Sequence, residues 1–226
     1  MKALDLSANA NMNQTTFFAA SSARILEART AIVRAFLDES DAEWAWFLDT
    51  DSIFGSDLLP RLLKTAQAKK AKVMAGLVFI LDKKRGSIYP NIFMYHDPRQ
   101  PGEGRYKHAA TWPEEPFEVD GTGGACLLVH REVLEAIGEK YKDTSYPWQD
   151  ERVDDNTGLM EGEDLVFCQK VQECGYKIWY DPQAAVGHLK EVVIGPKDYA
   201  AYVEKNRGKL KVTYGKNDDM MVFIAE

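Results

Sequence analysis

The stretch 43–54, EWAWFLDTDSIF, decides how the rest of the chain is read. Five consecutive apolar residues, Trp44 to Leu48, run straight into two carboxylates, Asp49 and Asp51, one residue apart. An unbroken apolar run of this length has the pattern of a strand buried on both faces, as in a mainly parallel sheet covered by helices. In open α/β sheets ligands bind where the carboxyl ends of the strands give way to loops. Two ionised carboxylates beside a dry core are costly unless something positive partners them. A hard divalent cation such as Mg²⁺ or Mn²⁺ fits, since it takes carboxylate oxygens and keeps positions open for phosphates. The alternative is a pair of turn-capping aspartates, and an Asp-x-Asp arises by chance about once in a chain of this composition.

Outward from this strand the chain alternates. Residues 15–22 (TTFFAASS) read as a short strand. Residues 23–40 read as a helix with Ile25, Leu26, Ala28, Ile32, Val33, Phe36 and Leu37 on one stripe. Residues 56–70 form a second helix, capped by Ser56, with Pro60 in its tolerant first turn and lysines at its end. Residues 71–80 are another buried strand. From 81 to 124, aromatics, prolines and glycines without a helical stripe predict antiparallel strands and loops, a candidate acceptor surface. Residues 125–130 are a strand, 131–138 a helix closed by Gly138, and 162–175 a further helix followed by strand segments YKIWYD and AAVGHL. The alternation gives an α/β fold, a Rossmann-like mainly parallel sheet flanked by helices with a small antiparallel portion.

Composition narrows the function classes. The 226 residues are 45% hydrophobic and 28% charged, ordinary for a globular protein with a sizeable core. A net charge of −7 without a dense basic block argues against a duplex-binding surface. No transmembrane segment and no secretion signal is visible, and Cys126, Cys168 and Cys174 have neither metal nor disulfide spacing, so the expected compartment is cytoplasmic.

Three further stretches carry chemistry. Gly121, Gly123 and Gly124, ahead of Ala125 and a strand, let backbone pass close to a ligand, or simply bend the chain. Glu163 and Asp164 open a helix, where the dipole stabilises acids; a carboxylate held there beside a cleft can also take a proton from an attacking hydroxyl. His188 follows a strand, a position where packing is the commoner role for a lone histidine. The aromatics Tyr89, Phe93, Tyr95, Trp112, Tyr141, Tyr146 and Trp148 read better as core than as a sugar platform.

Taken in order, the apolar strand with Asp-x-Asp, the Gly-Gly-Ala strand, the Glu-Asp helix ending in ECGYKIWYDP and the later Gly-His resemble the GT-A glycosyltransferases, family-2-like members in particular, over roughly residues 15–190. The resemblance implies that Asp49 and Asp51 form a DxD motif, Asp51 being the more direct ligand of Mn²⁺ or Mg²⁺ on the donor diphosphate, with His188 as an additional metal ligand. It implies Asp164 as the catalytic base of an inverting reaction, with Glu163 beside it holding acceptor or sugar. Gly123, Gly124 and Ala125 match the segment lining the sugar pocket, and Arg29 matches the arginine of an Ala-Arg-Asn element near the nucleotide, although Thr30 stands where Asn is usual. The donor would be a nucleotide-sugar, UDP-linked in preference, and the acceptor is open. Such proteins begin with a strand absent here before Thr15, MKALDL reading instead as the end of the following helix. The expectation is a catalytic domain over 1–190, short at its front and with weakened or borrowed base recognition, then a tail or lid over 191–226. A missing edge strand would favour homo-oligomers. The competing reading is a binding protein for nucleotide-sugars or carbohydrates that has lost turnover on the same fold.

Overall fold

A computed structural model describes residues 24–82, 87–96 and 104–189, the isolated positions Pro196 and Glu204, and the strands Leu210–Tyr214 and Met220–Ile224. The strand expected at 15–22 and the helix end expected at MKALDL lie outside the described residues. The chain divides into two compact units, residues 1–189 and 190–226. In the second, β13 (Leu210–Tyr214) and β14 (Met220–Ile224) pair as an antiparallel hairpin.

The first unit runs α1 (Ile25–Glu39), β1 (Trp44–Leu48), β2 (Ser52–Ile53), α2 (Leu58–Lys69), β3 (Val73–Asp82), β4 (Ser87–Pro90) and β5 (Ile92–Tyr95). It continues with β6 (Tyr106–His108), β7 (Phe117–Val119), β8 (Gly121–Thr122), β9 (Cys126–His130), α3 (Arg131–Lys140), β10 (Arg152–Val153), β11 (Met160–Glu161), α4 (Glu163–Glu173) and β12 (Ile178–His188). The main sheet has the order β1-β9-β3-β12-β2, with β4 on β3 and β7 on β12. β9 is antiparallel to both β1 and β3, and β3 is parallel to β12. β1, β3 and β12 therefore point the same way, with β9 inserted against them. The expected parallelism is one of direction, while most neighbouring pairs are antiparallel. A three-stranded sheet β6-β5-β8 supplies the antiparallel portion expected after residue 80.

Alternation along the strands explains the layering. Val73, Ala75 and Leu77 of β3 and Leu127 and Val129 of β9 face a core that includes Val33 and Phe36 of α1, Val133, Leu134 and Ile137 of α3, and Phe167 and Val171 of α4. Met74, Val78, Cys126 and Leu128 face the opposite way, onto Leu58, Leu59, Leu62 and Ala66 of α2. The apolar run of β1 follows the same logic: Ala45 and Phe47 pack on the first cluster, Trp44, Trp46 and Leu48 on the second.

Two helix boundaries differ from expectation. The cap of α2 falls on Asp57 rather than Ser56, and no side chain caps it. Gly138 does not close α3 but lies inside it, where a Cβ would come within 3.1 Å of the Trp148 ring. Trp148 is buried and donates its indole N–H to Leu134 O at 2.7 Å. The glycine is thus a packing residue that lets this indole sit against α3. Lys170, wholly buried on α4, donates to Tyr146 O at 3.1 Å and Pro147 O at 2.8 Å, fastening the other side of the same loop. Burial brings the Lys170 pKa down to about 8.

Asn91, one residue ahead of β5, ties the sheets together. Its Oδ1 accepts from Val78 N at 2.9 Å and Tyr180 Oη at 2.5 Å, and its Nδ2 donates to Gly76 O at 3.3 Å and Thr122 Oγ1 at 3.1 Å. All of these groups are buried, so truncation strands several at once. Asn91→Ala should lower unfolding free energy by about 3 kcal/mol in urea denaturation, with the m-value unchanged.

Candidate functional site

Strand direction brings the strand-borne part of the site to one edge. The C-terminal ends of β1, β3 and β12 reach one edge of the sheet, and the chain enters antiparallel β9 from that edge. Asp49 and Asp51 thus meet His188, the last residue of β12, and the Gly123–Ala125 segment meets Asp49. Leu48 pairs with Cys126, and Asp49 N donates to Ala125 O at 3.2 Å.

The turn after β1 is closed by Ser52 N on Asp49 O at 3.1 Å, which brings both carboxylates to the same side. β2 then pairs antiparallel with the end of β12, His188 opposite Ser52, and Leu189 N donates to Asp51 O at 2.8 Å. One ligand-type atom each from Asp49, Asp51 and His188 lies within 4.8 Å of the other two. His188 Nε2 is 3.1 Å from Asp51 Oδ2, while Nδ1 is 3.0 Å from Phe79 O. A carbonyl only accepts, so Nδ1 carries a proton; Asp51 Oδ2 also only accepts, so Nε2 donates to it here and would turn its lone pair to a cation bound in the proton's place. A backbone carbonyl holding Nδ1 in this way fixes the aim of the ring, as it does for histidines that bind metals. Two carboxylate oxygens and one imidazole nitrogen suit Mn²⁺ or Mg²⁺ with open positions left over.

The other half of the site is built on α4. Arg105 pins the chain just before it: Nε is 2.8 Å from Glu161 Oε1 and 3.0 Å from Asp154 Oδ2. Gly162 is the N-cap and offers no side chain, so Glu163 and Asp164 occupy a first turn whose N–H groups favour negative charge. Arg29, buried on α1, reaches both halves. It pairs closely with Asp164, stands 3.5 Å from Asp49 Oδ1, and 3.8 Å from Glu163 Oε1. Burial opposes the Arg29 charge, but these carboxylates, Asp164 foremost, outweigh it and raise its pKa. Arg29, Gly124, Thr122, Gln149 and Asp164 line a small cavity between α1, α4 and β9.

The structure separates the two neighbouring glycines. A Cβ on Gly124 would lie 2.5 Å from Arg29 Nη1 and 2.7 Å from Asp164 Oδ1, whereas one on Gly123 would meet nothing closer than 3.6 Å. The Arg29–Asp164 pair occupies the space that a side chain at 124 would need.

All nine residues singled out from sequence, Arg29, Asp49, Asp51, Gly123, Gly124, Ala125, Glu163, Asp164 and His188, gather at this edge. Arg29 stands among acids and bridges Asp49 to Asp164. Of the aromatics, Trp148 is core, Trp112 and Tyr141 pack against core, and Tyr95 is exposed. The sequence reading missed Asn91, Arg105 and the Phe79 carbonyl, none of which carries a local signal. It also missed Asp181, for which Pro182 inside a strand pattern was a usable sign of a bulge.

Residues 28–138 match the family described as glycosyl transferase family 2. That match covers just under half of the chain, over which it resembles the family-2 glycosyltransferases, and the fold is of the GT-A type. The structure solved as GalNAc-T7 with UDP, GalNAc and Mn²⁺ superposes with a TM-score of 0.50 at 15% identity, over 79% of this chain and 34% of that one. This chain therefore spans about a third of that protein. The structure titled "A197 from STIV" gives a TM-score of 0.46 at 15% identity, over 91% and 80% of the two chains. A search of curated proteins found no match. Among the described residues no helix is long and apolar enough to cross a membrane.

Two predictions follow from the acidic half. Gly124→Ala should part the Arg29–Asp164 pair and cost about 3 kcal/mol of stability, while Gly123→Ala stays near wild type; paired urea titrations measure both. Burial, then the neighbouring Asp164, raises the Glu163 pKa. The stability tied to protonated Glu163 is complete below the ordinary glutamate pKa and is lost as pH rises through the raised value. Glu163→Gln should hence change stability little in acid and increase it relative to wild type toward neutral pH, read from denaturation midpoints across that window.

Proposed function

We propose that the protein transfers a hexose from a UDP-sugar to an acceptor hydroxyl, with Mn²⁺ or Mg²⁺ as cofactor and inversion at the anomeric carbon. The observation that carries this reading is the convergence of Asp49, Asp51 and His188 from two distant strand ends, with His188 Nδ1 committed to Phe79 O. The neighbour solved with UDP, GalNAc and Mn²⁺ supports the choice of base and cation.

Asp49, Asp51 and His188 would hold the cation. When bound, it offsets charge on the departing nucleoside diphosphate as a Lewis acid. The Gly123–Gly124–Ala125 backbone lines the sugar, because no side chain at 124 can intrude. Asp164 takes the proton of the acceptor hydroxyl as that oxygen attacks the anomeric carbon. A single displacement of this kind inverts configuration. Glu163, beside the base, can hydrogen-bond a sugar hydroxyl. Arg29 keeps Asp164 oriented toward the sheet edge and adds positive charge near the diphosphate. We place this catalytic role in residues 1–190.

UDP, then GDP, titrated with and without Mn²⁺ should quench the fluorescence of Trp44 and Trp46 in β1, with UDP and metal together giving the tight complex. Asp51→Asn should abolish the metal-dependent part. Asp164→Asn should retain binding and lose turnover by about 10²–10⁴-fold, followed as UDP release from a panel of UDP-sugars. Binding indifferent to both metal and Asp51 would overturn the proposal.

A further inference from the structure

Strand β12 changes face partway along its length. Before residue 181 its even-numbered residues, Ile178 and Tyr180, pack in the cluster shared with α1, α3 and α4. After residue 184 the even-numbered Ala184 and Val186 pack in the opposite cluster, against α2. The register shows the cause: Asp181 pairs with Gly76 and Ala185 pairs with the very next residue, Leu77. Residues 182–184 are thus three extra residues opposite none on β3. Side chains alternate with period two, so an odd insertion flips every residue beyond it. His188 is even-numbered; it reaches Asp51 beside β2 because of this flip.

The bulge is held from outside the strand. The Asp181 carboxylate is wholly buried and accepts a bidentate pair from Arg61 (Nε to Oδ2 2.9 Å, Nη2 to Oδ1 3.0 Å). Thr65 Oγ1 adds a bond to Oδ2 at 2.8 Å, and Gln183 N donates to Oδ1 at 3.0 Å, closing the bulge on its own chain. Arg61 and Thr65 are four apart on one face of α2. Across the sheet Gly76 leaves room: a Cβ there would lie 2.7 Å from Ala184 O. A buried carboxylate with this many partners is costly to build. A strand that merely paired with β3 would not need it.

We propose that the Arg61–Asp181–Thr65 clamp is the positioning device for the metal ligand His188, so that side chains of α2 which touch no ligand set the affinity of the cation site. Arg61, Thr65 and Asp181 are positioning residues; they act through the register of β12. The proposal rests on the metal reading above and adds to it which residues outside the site govern it.

The test is Mn²⁺ affinity, read by electron paramagnetic resonance as loss of the free-ion signal, in protein shown folded by circular dichroism. Arg61→Met, at a partly exposed position, should weaken Mn²⁺ binding roughly tenfold, and Thr65→Val by a smaller factor in the same direction. The double variant Arg61→Met/His188→Ala should bind Mn²⁺ no more weakly than His188→Ala alone, because both changes act through one imidazole. A folded Arg61→Met within about twofold of wild type, or losses that add in the double variant, would overturn the proposal. If Arg61→Met does not fold, Thr65→Val and its own double with His188→Ala decide by the same criteria. Wild-type protein without an Asp51-dependent Mn²⁺ site sinks the metal reading and this inference together. A site lost in Asp51→Asn yet indifferent to Arg61 and Thr65 sinks the inference alone.

Discussion

Among the described residues, Arg29 is the cation that stands between the carboxylates at the working edge of the sheet. Asp49, Glu163 and Asp164 surround its guanidinium, and Asp51 stands beyond Asp49. Without Arg29, Asp164 would face Glu163 across a half-buried helix start with only the helix dipole to stabilise it, and the segment before β9 could not close so tightly. The missing side chain at Gly124, the entry to α4 and the orientation of Asp49 all depend on where this guanidinium sits. Among the described residues Asp49, Asp51, Glu163 and Asp164 gather at this edge, and His188 Nε2 is turned toward Asp51.

The two halves of the site rest on different supports. Asp49, Asp51 and His188 stand at strand ends, and their spacing is inherited from the hydrogen-bond ladder of the sheet. Glu163 and Asp164 stand at a helix start fixed by packing of Phe167, Cys168 and Val171 and by the ion pairs of Arg105 upstream. A strand-end site is rigid in spacing, as suits a cation with strict oxygen geometry. The helix start is tethered through the 141–161 connection, with Trp148 and Lys170 fastening it from either side. Arg29, on neither support, links them.

How much of this could be read from residues alone depends on whether the signal is local. The apolar run 44–48, the stripe from Ile25 to Leu37 and the helices at 58–69 and 163–173 announce themselves, because burial period is written in consecutive residues. So do the site residues, which cluster at the ends of those elements. Strand direction is not written this way. ACLLVH is equally apolar whether it runs with its neighbours or against them, and its antiparallel insertion between β1 and β3 follows from connection geometry. Gly138 looks like a helix terminator because glycine often is one; only the Trp148 indole ten residues on explains why α3 continues through it. Asn91 and Arg105 are single polar residues with partners far along the chain, beyond any window of periodicity.

The Asp181 bulge shows why parity matters more than sequence distance here. WYDPQAAVGH reads as two short strands separated by a kink, which conceals that the kink holds an odd number of residues. Had two residues been extra instead of three, Ala184, Val186 and His188 would all face the α1 side of the sheet. The apolar pair would still find a core there, so burial alone would tolerate either register. What distinguishes the two is the imidazole: on the α1 side it would leave Asp51 and the Phe79 carbonyl behind. The energetic work of selecting the register therefore falls on polar groups, the Asp181 carboxylate with Arg61 and Thr65 below and Phe79 O with His188 above. Apolar packing makes the sheet; these few directional bonds decide which of its faces meets the acidic turn.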